Sequence, residues 1–175
     1  LAHLHRVTAA RPQWPELFVL AYDHRAQFED LARQAGVDGA RLPGLKQLLN
    51  AVVADVERDP GCEGRMGVQI DGRIGAAALH DATGRGWWLG RPIERPGSRP
   101  LRFDGTHSLA TQLVHWPREQ VVKCLVFYHP DDAAALRAEQ DEWLQQVWEA
   151  TRASGHELLL EVIPPKDMLA PGDTG

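Results

Sequence analysis

The chain is poor in the features that announce common functions. It has two cysteines in 175 residues, Cys62 and Cys124, too few for a disulfide framework and without metal-ligand spacing. Cys124 falls inside an apolar run and reads as core filling, whereas Cys62 lies in a Pro-Gly turn. No apolar run approaches the ~20 residues of a membrane span, and the N-terminus carries no signal-peptide core. No Walker A or Gly-x-Gly-x-x-Gly segment signals a nucleotide, and no Gly-x-Ser-x-Gly elbow signals a hydrolase. No His-x-x-x-His or Cys-x-x-Cys pair signals zinc. Neither sign of charge dominates. With 19 Lys and Arg against 24 Asp and Glu, the net charge is -5, which argues against nucleic acid as a partner. The expectation is a cytoplasmic protein with neither membrane nor nucleic-acid partners.

What is present is enough for one packed domain, since 43% of the residues are hydrophobic. Residues 1–16 are polar and irregular and read as a linker, leaving 17–175 as the domain. Five apolar, β-favouring runs predict strands over Leu17–Tyr22, Met66–Ile70, Gly86–Gly90, Val121–Tyr128 and Glu157–Ile163. Helical patterns lie between them. One runs to Ala35, stopped by Gly36 and Gly39. A second follows Pro43-Gly44 with Leu45, Leu48, Leu49, Val52, Val53 and Val56 on one face. Others cover Ala76–Ala82 and His107–His115, and a long one runs from an Asp131-Asp132 cap to about Ala153. Arg91–Pro100 holds too much proline for helix or central strand.

Five strand–helix alternations with long connections predict a mainly parallel α/β sheet. That fits an open doubly wound sheet or part of a (β/α)8 barrel, which as a whole takes about 250 residues. The last strand is followed only by loop, so a barrel cut short is the expectation. Its uncovered sheet edge predicts a closed dimer or a disordered remainder rather than a monomer, and a homo-oligomer is the expectation.

In parallel α/β folds ligands sit at the carboxyl ends of the strands. Asp23, Asp71, Arg91, Glu94 and His129 occupy those ends, while Lys123 and Glu161 lie within strands. Alternation puts Lys123 on one face with Leu125 and Phe127, and Glu161 with Leu159 and Ile163. A lysine in such a run must be paired or lose its proton. Lys123 and Glu161, on neighbouring strands, are expected to meet. The pair reads equally as a structural ion pair. Asp23 reads equally as a helix cap, Asp71 before Gly72 as a turn, His129 as a loop residue, and Trp87-Trp88 as packing. Arg91, Arg95, Arg99 and Arg102 on a proline-stiffened loop suit carboxylate or phosphate capture, or simply an exposed charged loop.

Several long motifs together resemble one family. They are Leu20-Ala21-Tyr22-Asp23-His24-Arg25, Gly86-Trp87-Trp88-Leu89-Gly90-Arg91-Pro92-Ile93-Glu94, Pro96-Gly97-Ser98-Arg99-Pro100-Leu101, the run from Val122 to Asp132, and His156-Glu157-Leu158-Leu159-Leu160-Glu161. The family is the aldolase-like domain fused behind 5-dehydro-2-deoxygluconokinase in bacterial inositol catabolism, commonly named 2-deoxy-5-keto-gluconate-6-phosphate aldolase. A more distant likeness is to class I tagatose-bisphosphate aldolase, a (β/α)8 enzyme. The resemblance implies a TIM barrel of the class I aldolase type, here its first five βα units, fused to or beside a sugar kinase. It implies cleavage of 2-deoxy-5-keto-gluconate 6-phosphate to dihydroxyacetone phosphate and malonate semialdehyde through a lysine Schiff base, with no cofactor. Lys123, Glu161 and Asp23 would be catalytic, and Asp71, Arg91, Arg99 and His129 would hold the sugar phosphate. In the distant relative the Schiff-base lysine lies on the following strand in a Lys-x-Glu segment, which is not found here; Lys166 does not match it. A non-catalytic sugar-phosphate sensor, or a metal-assisted aldolase using Asp71, Glu161 and His129, are the alternatives.

Overall fold

The computed structural model describes residues 16–105 and 108–165. The linker expected over 1–16 lies outside them except for Glu16, as do His107 at the predicted start of its helix and the terminal loop from Lys166 onward.

The five strands are β1 (Phe18–Ala21), β2 (Met66–Gln69), β3 (Trp88–Pro92), β4 (Gln120–Phe127) and β5 (Leu158–Ile163). All neighbours pair in parallel, in the order β1-β2-β3-β4-β5. The order never reverses, so this is not the doubly wound arrangement, whose strand order turns back at a switch point. Right-handed crossovers in such an order place every connecting helix on one face. Those helices are α1 (Ala26–Gln34), α2 (Leu42–Val56), α3 (Ala76–Ala82), α4 (Leu109–Val114) and α5 (Ala134–Ser154), with a 3₁₀ turn at Gly39–Arg41. No helix among the described residues is long and apolar enough to cross a membrane.

Period-two alternation sorts the strand side chains. Met66, Val68, Ile70 and Leu89 point to the helices and pack with Val53, Ala78, Leu79 and Ala82. Val122, Cys124 and Val126 do the same against Leu109, Leu113, Val147 and Ala150. The opposite face carries Ala21, Gln69, Lys123, Leu125, Phe127, Leu159 and Glu161. Gly90 belongs to that face because a Cβ there would stand 3.0 Å from the Trp88 ring and 3.1 Å from Gln69 Cγ. Trp87 is buried and donates its ring N–H to Glu57 at 2.9 Å, so the tryptophan pair is packing.

Three local expectations are corrected. Arg91 and Pro92, expected in a loop, are the last residues of the central strand β3, paired with Val122 and Lys123. The predicted apolar face of α2 points largely outward, and the buried residues of that helix are Leu42, Lys46, Asn50 and Val53. Lys46 and Asn50 are drawn inward because they satisfy buried polar groups, including the Tyr22 and Ala78 carbonyls. Asp132 does not cap α5, whose N-cap is Ala133 with no side-chain bond. Its carboxylate is taken instead by Arg99 and by the His129 N–H. The far end of α5 closes as glycine closes helices, on Gly155 at φ 75°.

Cys124 is fully buried, and burial pushes its thiol up to about 12, while Cys62 is half-buried. A thiol reagent at neutral pH is therefore expected to modify Cys62 alone in the native protein and both cysteines after unfolding. Mass spectrometry of the labelled peptides checks this; native labelling at Cys124 would contradict the packing.

Candidate active site

The site begins with a charge that the sheet must neutralise. Lys123 projects from β4 onto the face away from the helices and is 5% exposed. Its Nζ lies 3.2 Å from Asp23 Oδ2 and 3.2 Å from Glu161 Oε2. Asp23 follows β1 and Glu161 lies on β5, so the amine ties opposite ends of the sheet. In a flat sheet β1 and β4 would stand ~14 Å apart, at ~4.8 Å per strand. The two side chains meet because the sheet curls around them.

A second layer of charge supports the first. Glu94, just beyond β3, is 5% exposed and accepts from Arg25 Nη2 at 2.8 Å and from the Leu125 N–H at 3.2 Å. Arg25 also donates to the Glu94 carbonyl at 2.9 Å and to Asp104 at 3.1 Å. Its Nε is buried without a hydrogen-bond partner among the described residues. Burial raises the Glu94 carboxyl, against the opposing pull of Lys123 and Arg25. For Lys123, burial works against the charge, and Asp23, Glu94 and Glu161 outweigh it, so the amine is raised and stays a cation.

A third cation lies deeper. Lys46, from α2, is wholly buried and donates to the Tyr22 and His24 carbonyls at 2.9 Å each, and to Asp71. Burial lowers its amine, although Asp71 pulls the other way. The molecule thus separates two properties a nucleophilic lysine needs together. Lys46 is lowered but sealed; Lys123 lines the cavity but is charged.

Asp23, Arg25, Glu94, Lys123 and Glu161 line an open cavity of 630 Å³ at the carboxyl ends of the strands, with Pro96 and Gly97 at one side and Leu159, Ile163 and Pro164 at another. Of the residues expected to act there, Asp23, Lys123 and Glu161 are brought together. Asp71 is not among the lining residues. Besides Lys46 it accepts the N–H groups of Arg73, Ile74 and Gly75, which makes it the anticipated turn residue as well as an ion-pair partner. Arg91 points to the helix side, stacked 3.8 Å from the Trp116 ring centroid and bonded to Gln120 at 3.2 Å. Burial brings its guanidinium down to about 10, and a Cβ on Gly72 would stand 2.6 Å from its Nη2. Arg99 is spent on Asp132, and His129 lies outside the lining. Nor do Asp71, Glu161 and His129 gather as metal ligands; no group of three such side chains does so among the described residues.

Lys46 and Arg25 were the residues missed. The stripe Leu42-Lys46-Asn50-Val53 carries the signal for Lys46, a polar pair at helical spacing between two apolar residues. Arg25 had only its place beside Asp23.

A one-sided parallel α/β sheet with an ion-paired lysine at its carboxyl-end cavity defines the class. The chain belongs to the family described as "Uncharacterized protein conserved in bacteria (DUF2090)", which matches residues 1–174. A search of curated proteins finds no match.

The exposures of the partners set the cost of losing each. Glu161 is about half exposed, so Glu161→Gln is expected to cost ~0–1 kcal/mol. Lys123→Met strands Asp23 in a buried setting and is expected to cost about 3–5 kcal/mol. Because the Lys123 amine is raised on folding, its stabilisation is fully present below the ordinary lysine value of about 10.4 and lost only as pH rises through the folded value. Urea unfolding across neutral pH should therefore show a constant gap between wild type and Lys123→Met. A gap that closes as pH rises toward 9 would mean the amine is not held cationic.

Proposed function

We propose that this chain carries the acid–base half of a class I aldolase site acting on a keto sugar acid phosphate, with 2-deoxy-5-keto-gluconate 6-phosphate as substrate. In this proposal residues 17–175 supply the first five βα units of a (β/α)8 barrel, working in the cytoplasm beside a sugar kinase. The observation that carries it is Lys123 Nζ at 3.2 Å from both Asp23 and Glu161 on the lining of the strand-end cavity. The sequential parallel order of the strands supports the barrel.

Each residue then has a defined part. An amine supplied from outside the described residues adds to the substrate keto carbon and loses water to give an iminium. Lys123, kept cationic, stands beside that amine and lowers its pKa by repulsion. Glu161, half exposed to the cavity, takes the proton of the hydroxyl whose carbon becomes the aldehyde. The carbon–carbon bond breaks, its electron pair enters the iminium, and malonate semialdehyde leaves. Reprotonation and hydrolysis of the enamine release dihydroxyacetone phosphate. Asp23 fixes Lys123 and accepts from substrate hydroxyls. The second reading, a sugar-phosphate-binding module without turnover, is favoured by one observation: neither Lys46 nor Lys123 is both reachable and uncharged.

Borohydride trapping with dihydroxyacetone phosphate, on residues 1–175 and on a longer chain that continues the barrel, separates them. The aldolase reading expects an adduct on a lysine beyond Lys123, only in the longer chain. An adduct on Lys123 itself would move the nucleophile here. No adduct on either chain, with sugar phosphate still bound, would leave the binding module.

A further inference from the structure

Four ionisable side chains form a row along the cavity wall: His24, Asp23, Lys123 and Glu161. Asp23 joins the row together, with Oδ2 at 3.2 Å from Lys123 Nζ and Oδ1 at 4.0 Å from His24 Nδ1. Glu161 closes the other end, 3.2 Å from the same amine. The two middle members are buried and the two ends are not: the His24 side chain is 49% exposed and that of Glu161 46%. All four line the cavity. A buried ion pair is thus flanked on each side by a group that reaches both the cavity and water. The proposed chemistry uses Glu161 at one end and leaves His24 at the other without a task.

His24 is held in place for one. Its carbonyl accepts from the buried Lys46 amine at 2.9 Å, which fixes its backbone. Its ring meets the Phe28 ring edge-on, with 6.3 Å between centroids. Nδ1 faces Asp23 at a distance too long for a hydrogen bond, and among the described residues neither ring nitrogen makes one. The other ionisable groups on the lining are all engaged within 3.2 Å, Lys123 with Asp23 and Glu161, and Arg25 with Glu94. His24 is therefore the lining group left to carry a proton between solvent and ligand. Imidazole is the side chain suited to that near neutral pH.

We infer that His24 is the second acid–base group of this cavity, the donor that protonates the enamine carbon after the carbon–carbon bond has broken. The inference rests on the aldolase reading and supplies the proton donor that its last step needs. The enamine π pair forms the new C–H bond with the proton of His24 Nε2, the nitrogen lone pair restores the iminium, and the imidazole is left neutral. Solvent returns to His24 the proton that Glu161 took from the substrate hydroxyl, so none is gained or lost. Two groups serve this sequence better than one. A proton held on Glu161 beside the departing aldehyde can return to the oxygen it left, which re-forms the substrate. A donor on the far side of Asp23 and Lys123 commits the carbon instead.

Dihydroxyacetone phosphate in heavy water, with the longer chain that continues the barrel, separates this step from those around it. Borohydride trapping reads iminium formation. Exchange of the substrate's carbon-bound hydrogen for deuterium, followed by NMR, reads proton transfer at the enamine carbon. His24→Gln keeps much of the size and polarity of the ring but cannot carry the proton. It is expected to trap as wild type does and to exchange at least about a hundredfold more slowly. His24→Ala is expected to lose exchange likewise and to regain part of it when imidazole is added, which a structural role would not give. His24 is half exposed, so both variants keep their circular dichroism and melting temperature. Exchange at the wild-type rate in His24→Gln overturns the inference. So does a loss of trapping that matches the loss of exchange, or a loss that imidazole does not recover, since either makes His24 a residue of binding or structure. A wild-type chain that traps nothing sinks the aldolase reading itself, and this assignment with it.

Discussion

A single buried cation organises the open face of the sheet. Lys123 comes from β4, yet its partners come from the loop after β1 and from β5, with Glu94 beyond β3 adding its field. An ammonium taken out of water is costly unless it is closely paired. The strands that supply the pairs are not all its neighbours, so satisfying it requires the sheet to curl. The cavity is the concave side of that curl. Lys46 repeats the logic one layer down, where α2 sends an amine to Asp71 and to the two carbonyls flanking Asp23. That bond holds the backbone of the Tyr22–His24 turn, and with it the aspartate that meets Lys123.

The two lysines show why burial alone does not make a nucleophile. Desolvation lowers an amine, but a site that buries it wholly also excludes substrate. Lys46 is the buried case, lowered and unreachable. Lys123 is the opposite case: three carboxylates outweigh the desolvation, and the amine is reachable but protonated. A cation fixed in a cavity is still useful to carbonyl chemistry, because it destabilises any second ammonium placed next to it. That division of labour, one lysine to react and another to tune it, is what the proposed function asks of this cavity.

Much of the scaffold was legible because it rests on local pattern. The apolar runs located all five strands to within about two residues, and the Ala76–Ala82 helix has the bounds its pattern predicted. Strand alternation was enough to place Lys123 with Leu125 and Phe127, and to pair it with Glu161. What resisted was non-local. Asp23 as the partner of Lys123 depends on curl, which no window of sequence contains. The face of α2 is not legible because apolar count and buried polar need point opposite ways, and Lys46 and Asn50 answer needs set by residues more than twenty positions away.

The arginines carry the sharpest consequence for specificity. Arg91 sits on the residue parity that faces the helices, so its guanidinium stacks on Trp116 rather than entering the cavity. Arg99 neutralises Asp132, and Arg102 reaches Glu139. The charged groups left on the described lining are three carboxylates, Asp23, Glu94 and Glu161, against two cations, Arg25 and Lys123, both already engaged. Such a lining suits hydroxyl and carbonyl groups, which accept and donate hydrogen bonds without added charge. It does not suit a phosphate or carboxylate, which would need cations in excess. If a keto sugar acid phosphate is the substrate, its anionic ends must be met by residues beyond the described lining, and the cavity seen here takes the uncharged middle of the molecule, where the bond to be broken lies.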